Sequence, residues 1–334
     1  MTTPVAVAGL ADRFGRVATD LRVSLTDRCN LRCTYCMPAE GLAWLPKDEV
    51  LTDAEIVRLV RVAVEQLGVT EVRFTGGEPL VRPGLVDIVA ACAALRPRPR
   101  LSLTTNGIGL ARLAAPLKAA GLDRVNVSLD TLDPERFKAL TRRDRHADVL
   151  AGLAGAVAAG LTPVKINSVL MRGANDDEAP ALVEFAMANG YELRFIEQMP
   201  LDAQHGWDRS TMVTAAEILR ALEATYTLVP DPVARGAAPA ETWLIDGKRI
   251  GVIGSVTRPF CGDCDRTRLT ADGQLRSCLF SQGETDLRRP MRSGAGDVEL
   301  ADLWRDTMWR KAAGHGIDDP SFVQPTRPMS AIGG

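Results

Sequence analysis

Histidine and lysine are nearly missing from this 334-residue sequence, which has three histidines and six lysines against 34 arginines. The net charge of −2 leaves no positive surplus of the kind a polyanion-binding surface needs. The arginine excess therefore reads as composition, and only individual arginines are candidates for function. Long apolar runs are lacking too: the longest, VLAGLAGAVAAGL at 149–161, is too short to span a bilayer. The opening MTTPVAVAGLADRFGR has no basic start and is interrupted by Asp12, so no secretory signal is expected. The chain reads as cytoplasmic, where clustered cysteines favour metal over disulfides. A G-x-x-x-x-G-K-[ST] loop is absent, and GIGLAR at 107–112 has Arg112 where a dinucleotide fingerprint needs its third glycine. Any nucleotide must be held otherwise, and arginine forks are the available means. Internal repeats and low-complexity tracts are absent as well.

What is present describes an ordinary globular chain, 46% hydrophobic and 25% charged, long enough for two to three domains at about 100–200 residues each. Six β-rich runs alternate with helical stretches: DLRVSLT (20–26), EVRFTG (71–76), RLSLTTN (100–106), RVNVSLD (124–130), TPVKINSVL (162–170) and YELRFIEQM (191–199). That repeat signals βα units around a parallel sheet. Helix punctuation agrees. Thr52 with Glu55 spells a capping box, Pro83 and Pro134 suit first-turn positions, and Gly68, Gly121, Gly160 and Gly190 follow helical runs. Six units suggest a partial (βα)6 TIM-like barrel, although a doubly wound sheet has the same local pattern; in both, ligands gather at the carboxyl ends of the strands. Those ends carry a cysteine loop, Gly76-Gly77-Glu78-Pro79, Thr104-Thr105-Asn106, Ser128 with Asp130, and Glu197 to Met199, while Lys165 and Asn167 lie on the fifth strand. Past residue 225 the sequence turns Pro- and Gly-rich, with one helical stretch near LADLWRDTMWRKAAG. A smaller module is expected over 225–334, beside a barrel over 1–224.

Seven cysteines divide into two triples and Cys92, which sits in the apolar run VDIVAACAAL and reads as core packing. Cys29-x3-Cys33-x2-Cys36 follows the first strand. A structural zinc site wants four protein ligands, and no histidine lies near in sequence. A [4Fe-4S] cube held by three cysteines leaves one iron open for a small molecule. Cys261-x2-Cys264-x13-Cys278 repeats the logic, as a second cluster with an open iron or as a Cys3His zinc site completed by His315. Between these cysteines, Arg266 and Arg268 alternate so as to project to one side of an extended segment, a pair of forks suited to an anion.

The C-x3-C-x2-C spacing with Tyr35 before the last cysteine, followed one strand later by GGEP at 76–79, resembles the radical S-adenosylmethionine superfamily. RVSLTDRCNLRCTYCMP, RFTGGEPLVR, TTNG, VNVSLD, VKINSV, RFIEQMP, FCGDCDRTRLT, LRSCLF and the terminal Gly-Gly narrow the resemblance to the twin-cluster branch that cyclises GTP for molybdenum cofactor synthesis. It covers nearly the whole chain. The resemblance implies a lyase with two [4Fe-4S] clusters and S-adenosylmethionine as cofactors, the metal ligands being Cys29, Cys33 and Cys36 for the first cluster and Cys261, Cys264 and Cys278 for the second. The expected reaction removes the 3′ hydrogen of GTP and closes the ribose onto guanine C8, giving 3′,8-cyclo-7,8-dihydro-GTP.

By the same resemblance Arg22, Arg266 and Arg268 clamp the triphosphate, and Arg73, Thr104 and Lys165 also contact GTP. Tyr35, Gly77, Ser128 and Met199 line the S-adenosylmethionine site, and the Gly333-Gly334 tail enters the active site and assists catalysis. The implied partners are a low-potential electron donor and a downstream cyclic pyranopterin monophosphate synthase; oligomeric state, a homodimer included, is left open. Two other classes fit less well. A radical enzyme acting on peptides would typically carry more C-terminal cysteines, and a zinc-stabilised nucleic-acid module would want a basic surface and closed four-ligand sites.

Overall fold

In the computed structural model, which describes residues 9–333, Thr52 Oγ1 accepts from the Glu55 amide at 3.2 Å while the Glu55 carboxylate accepts from the Thr52 amide at 2.8 Å. This reciprocal cap starts helix α1 (Asp53–Leu67), which ends at Gly68 in a left-handed conformation, φ 74°. Pro134 is the first residue of a later helix, Pro134–Thr141, as expected. Pro83 is not at a first turn. It holds Arg82 extended (φ −78°, ψ 115°), so that helix α2 (Leu85–Ala93) begins only after Gly84.

Strands β1 (Asp20–Ser24), β2 (Glu71–Thr75), β3 (Arg100–Thr105), β4 (Arg124–Ser128), β5 (Lys165–Val169) and β6 (Glu192–Ile196) pair in chain order, every pair parallel. The order never reverses, which excludes a doubly wound sheet with its switch point. Side chains alternate across each strand. Leu21, Val23, Val72, Phe74, Leu101, Leu103, Val125 and Val127 are fully buried against the helices. The opposite face carries Arg22, Arg73, Ser102, Thr104 and Asn126. Cys92 lies on α2 and is fully buried, as its apolar setting foretold.

Residues beyond 225 extend the sheet at both edges. After the short edge strand β7 (Val229–Pro230), the hairpin of β8 (Glu241–Ile245) and β9 (Lys248–Ile253) turns through Asp246 (φ 48°) and Gly247 (φ 75°) and docks β9 in parallel on β6. At the other edge β10 (Arg266–Leu269) lies parallel to β1, pairing Arg268 with Arg22. Residues of β9 and β10, from opposite sides of the strand order, line one cavity, so the sheet is curled into an open barrel. Helices α3 (Leu110–Ala119), α4 (Pro134–Thr141), α5 (His146–Ala158), α6 (Ala179–Asn189), α7 (Ala215–Glu223) and α8 (Arg288–Arg292) follow in chain order, and α9 (Asp297–Trp309) packs behind β10, where the buried Trp304 donates to Thr267 Oγ1 at 2.9 Å. Among the described residues no helix is long and apolar enough to cross a membrane.

Candidate active site

Alternation along the strands delivers the polar face of the sheet to a central cavity with about 980 Å³ of empty space, open to solvent. Five arginines line it, Arg22, Arg73, Arg194, Arg266 and Arg268, and no carboxylate is among the lining residues. The nearest counter-charge is the buried Asp20, which accepts from Arg22 at 3.0 Å and lies 3.9 Å from Arg266. Burial pushes its carboxyl up, but Arg22, Arg73 and Arg266 outweigh that and hold it at about 2. Asp265 lies 3.8 Å from Arg266, and two carboxylates do not balance five guanidiniums. Burial, followed by the repulsion of Arg22, lowers Arg268 to about 9 and brings Arg73 well below its ordinary value. Arg194 Nε and Asn167 Oδ1 are buried here without a partner among the described residues. A buried cationic set with unused donors is complementary to an anion bearing several oxygens.

The first cysteine triple occupies the loop after β1. Gly76 and Gly77 press their backbone against that loop: a Cβ on Gly77 would lie 2.4 Å from the carbonyl oxygens of both Asp27 and Arg28, and one on Gly76 2.4 Å from that of Thr26. The Gly77 amide donates to Thr26 O at 2.7 Å. Glu78 is buried and accepts from Thr105 Oγ1 and the Asn106 amide, both at 2.7 Å, and burial lifts its carboxyl to about 7. The second and third strand ends are thereby locked around the loop. Tyr35 donates to Asp130 Oδ2 at 2.7 Å, anchoring the loop to the end of β4.

Burial pushes the Cys29 thiol up to about 11, Cys36 to about 12 and Cys33 well above its ordinary value, and the three would repel one another as thiolates. Three such donors fit a cationic centre such as a polynuclear cluster, whose charge would make them stable together as thiolates. The second triple, Cys261, Cys264 and Cys278, lines the central cavity beside Arg266 and Arg268. His315 also borders it, 54 positions from Cys261 in sequence, but no three His, Cys, Asp or Glu side chains among the described residues converge as a single-ion site requires. The Cys3His zinc alternative therefore lacks its geometry, and the donor set fits a larger centre.

The C-terminal segment lies between the two triples. Met329 lines the cavity, the Ser330 backbone lies beside Cys36, and Gly333 O accepts from Arg268 at 2.6 Å. A Cβ on Gly333 would touch Thr75 and Ser24 at 2.9 and 3.0 Å, at the ends of β2 and β1. Gly334 lies outside the described residues.

Of the residues singled out by sequence, Arg22, Arg73, Thr104, Met199, Arg266, Arg268 and the second triple are brought to one cavity. Tyr35, Gly77 and Ser128 sit instead around the first triple and at the adjoining strand ends. Lys165 is outside that cavity: it pairs with Glu192 in a neighbouring cleft, with Arg194 on the wall between the two. Arg194 escaped the sequence reading, although strand alternation on β6 puts it on the same face as Glu192. Phe260 was also missed; its ring takes the guanidiniums of Arg235 and Arg266 at 5.1 and 5.0 Å.

The chain matches the Radical SAM superfamily over residues 23–186 and Molybdenum Cofactor Synthesis C over residues 191–317. It is 70% identical to a GTP 3′,8-cyclase of Streptomyces coelicolor over 328 residues, 97% of this chain and 96% of that protein. A GTP 3′,8-cyclase of Mycobacterium sp. (strain KMS) is 63% identical over 97% of this chain and 93% of its own length. Among solved structures, Streptococcus suis SuiB bound to S-adenosylmethionine aligns with a TM-score of 0.61 at 16% identity, over 87% of this chain and 67% of that one. Native anSMEcpe with bound AdoMet aligns with a TM-score of 0.58 at 15% identity, over 89% and 82%. These last two are likenesses of fold.

Proposed function

The chain belongs to the GTP 3′,8-cyclase family of the radical S-adenosylmethionine superfamily, and from that premise we propose how its own residues serve the reaction. The activity is conversion of GTP to 3′,8-cyclo-7,8-dihydro-GTP, an early step of molybdenum cofactor synthesis, with two [4Fe-4S] clusters and S-adenosylmethionine as cofactors. Cys29, Cys33 and Cys36 would hold the first cluster, and Cys261, Cys264 and Cys278 the second. When bound and reduced, the first cluster supplies the electron that cleaves S-adenosylmethionine to the 5′-deoxyadenosyl radical.

The protein's contribution is to bind and aim. Arg22, Arg73, Arg266 and Arg268 take the triphosphate, and Arg194 joins them on the strength of its unpartnered Nε. Thr104 and Lys165 complete the GTP contacts, Lys165 after exchanging Glu192 for substrate. Tyr35, Gly77, Ser128 and Met199 border S-adenosylmethionine. Gly333 closes the site beside Arg268, and the Gly333-Gly334 tail would serve to keep the reacting ribose in register. Holding reactants in one geometry is the main catalytic term for a radical that takes any hydrogen within reach. Functionally, residues 1–224 generate the radical, and residues 225–334 hold the base and close the pocket. We place the reaction in the cytoplasm, with a low-potential electron donor upstream and a cyclic pyranopterin monophosphate synthase downstream; whether the chain acts as a homodimer is for solution measurement.

The observation that carries this reading is the cavity with five guanidiniums and no lining carboxylate, ending at the second cysteine triple. The test is anaerobic turnover of reconstituted protein with GTP deuterated at C3′. Deuterium is expected in 5′-deoxyadenosine, and its absence there would defeat the mechanism.

A further inference from the structure

Lys311 lies just past α9, is 3% exposed, and forms no ion pair with a carboxylate among the described residues. An ammonium has three protons. Here the acceptors are Cys264 O at 3.1 Å, Arg266 O at 2.9 Å and Cys264 Sγ at 3.3 Å. A buried ammonium without a counter-charge is strongly disfavoured, and the only partner in this shell that can carry negative charge is the Cys264 sulfur. The same sulfur has Arg266 Nη1 at 3.7 Å. The segment around Lys311 is fixed in place: Arg16, itself paired to the buried Asp12, donates to Cys261 O at 2.6 Å and to the carbonyls of Ala312 and Ala313 at 2.6 and 2.8 Å. Among the described residues no cationic side chain hydrogen-bonds a sulfur of the first triple, and Arg32 acts on Cys29 only through space. Cys29 Sγ has the Leu31 amide at 3.4 Å and the neutral Asn106 Nδ2 at 3.9 Å.

Net charge and hydrogen bonds to sulfur are the terms by which a protein sets an iron-sulfur potential, because each reduction adds negative charge that donors at the sulfurs stabilise. We propose that Lys311 is a redox-positioning residue, whose charge and N–H···S bond to Cys264 raise the potential of the centre held by Cys261, Cys264 and Cys278 above that of the centre held by Cys29, Cys33 and Cys36. The assignment rests on the reading of both triples as [4Fe-4S] ligands. It explains why a lysine-poor chain buries one of its six lysines beside a cysteine.

The experiment uses the reconstituted full chain as wild type, Lys311→Gln, Lys311→Met and Lys311→Arg, without GTP or S-adenosylmethionine. Iron content is measured, and both midpoints are followed by electron paramagnetic resonance during a redox titration. Wild type should hold about eight irons, two cubes of four. The midpoint of the second centre should move to more negative potential in Lys311→Met, less far in Lys311→Gln, and least in Lys311→Arg, while that of the first stays put. Unchanged midpoints in Lys311→Met and Lys311→Gln at about eight irons overturn the assignment and leave the two-cluster reading intact. If Lys311→Met loses the second centre, Lys311→Gln against Lys311→Arg decides on the same criterion. About four irons in wild type would instead overturn the two-cluster reading, and this assignment with it.

Discussion

At the scale of the residue, Asp20 is the negative charge that holds a crowd of arginines together. Its carboxyl, at about 2 in the folded protein against an ordinary 3.8, contributes stability fully above about pH 4 and loses it as pH falls toward 2. A shift of that size corresponds to about 2–3 kcal/mol. Asp20→Asn should destabilise the ligand-free protein by about that much at neutral pH and flatten the acid limb of its stability profile. Saturating GTP should recover part of the loss, because the triphosphate supplies negative charge to the same arginines; urea unfolding with and without GTP measures both. Arg268→Ala removes a charged hydrogen-bond donor worth about 1.5–3 kcal/mol, so GTP binding should weaken roughly 10- to 100-fold by calorimetry. Read from spacing alone, these arginines stand out only through the Arg266-Arg268 pair, while Arg22 and Arg73 enter through the resemblance. Their convergence with Arg22, Arg73 and Arg194 depends on the curl of the sheet, which no local pattern encodes.

At the scale of the element, six parallel strands and the turns that follow them were legible, because each strand has its own alternation and each helix its own caps. Gly77 shows how a turn becomes a constraint. An added methyl would meet two backbone carbonyls that cannot swing aside, so Gly77→Ala must displace the cysteine loop. The expected outcome is loss of the first cluster alone, with iron falling from about eight to about four per chain while the protein remains folded by circular dichroism. The β8–β9 hairpin was not read from the sequence, although Asp246-Gly247 between ETWLI and KRIGVI spells a two-residue turn. Its Pro- and Gly-rich approach obscured it. Lys165 was legible as a cation on a strand face. Its pairing with Glu192 was not, since it depends on the register of β5 against β6.

At the scale of the whole molecule, the second cysteine triple lines the central cavity, the first sits in the loop after β1, and the last described residues run between them. The bond from Arg268 to Gly333 O and the place of Met329 in the cavity wall tie this segment to the site. Deleting Gly333 and Gly334 should leave both clusters and GTP affinity largely intact and reduce turnover at least about tenfold through lost positioning; full turnover in the deletion would remove the tail from the mechanism. Sequence motifs pointed to such a tail, but the cleft it enters is formed by strand ends some 250–310 positions earlier in the chain.

The parallel pairing of β10 with β1 has a consequence for biosynthesis. The N-terminal strand emerges with an unpaired edge, and its partner, beginning at Arg266, is translated 246 positions after Asp20. At about 5–20 residues per second, that edge waits on the order of ten to fifty seconds for its neighbour. A nascent chain stalled before Arg266 offers the unpaired backbone edge of β1 to any other stalled copy. Truncations ending there are thus inclined to associate edge to edge, so that synthesis speed becomes part of what reserves this edge for the chain's own later strand.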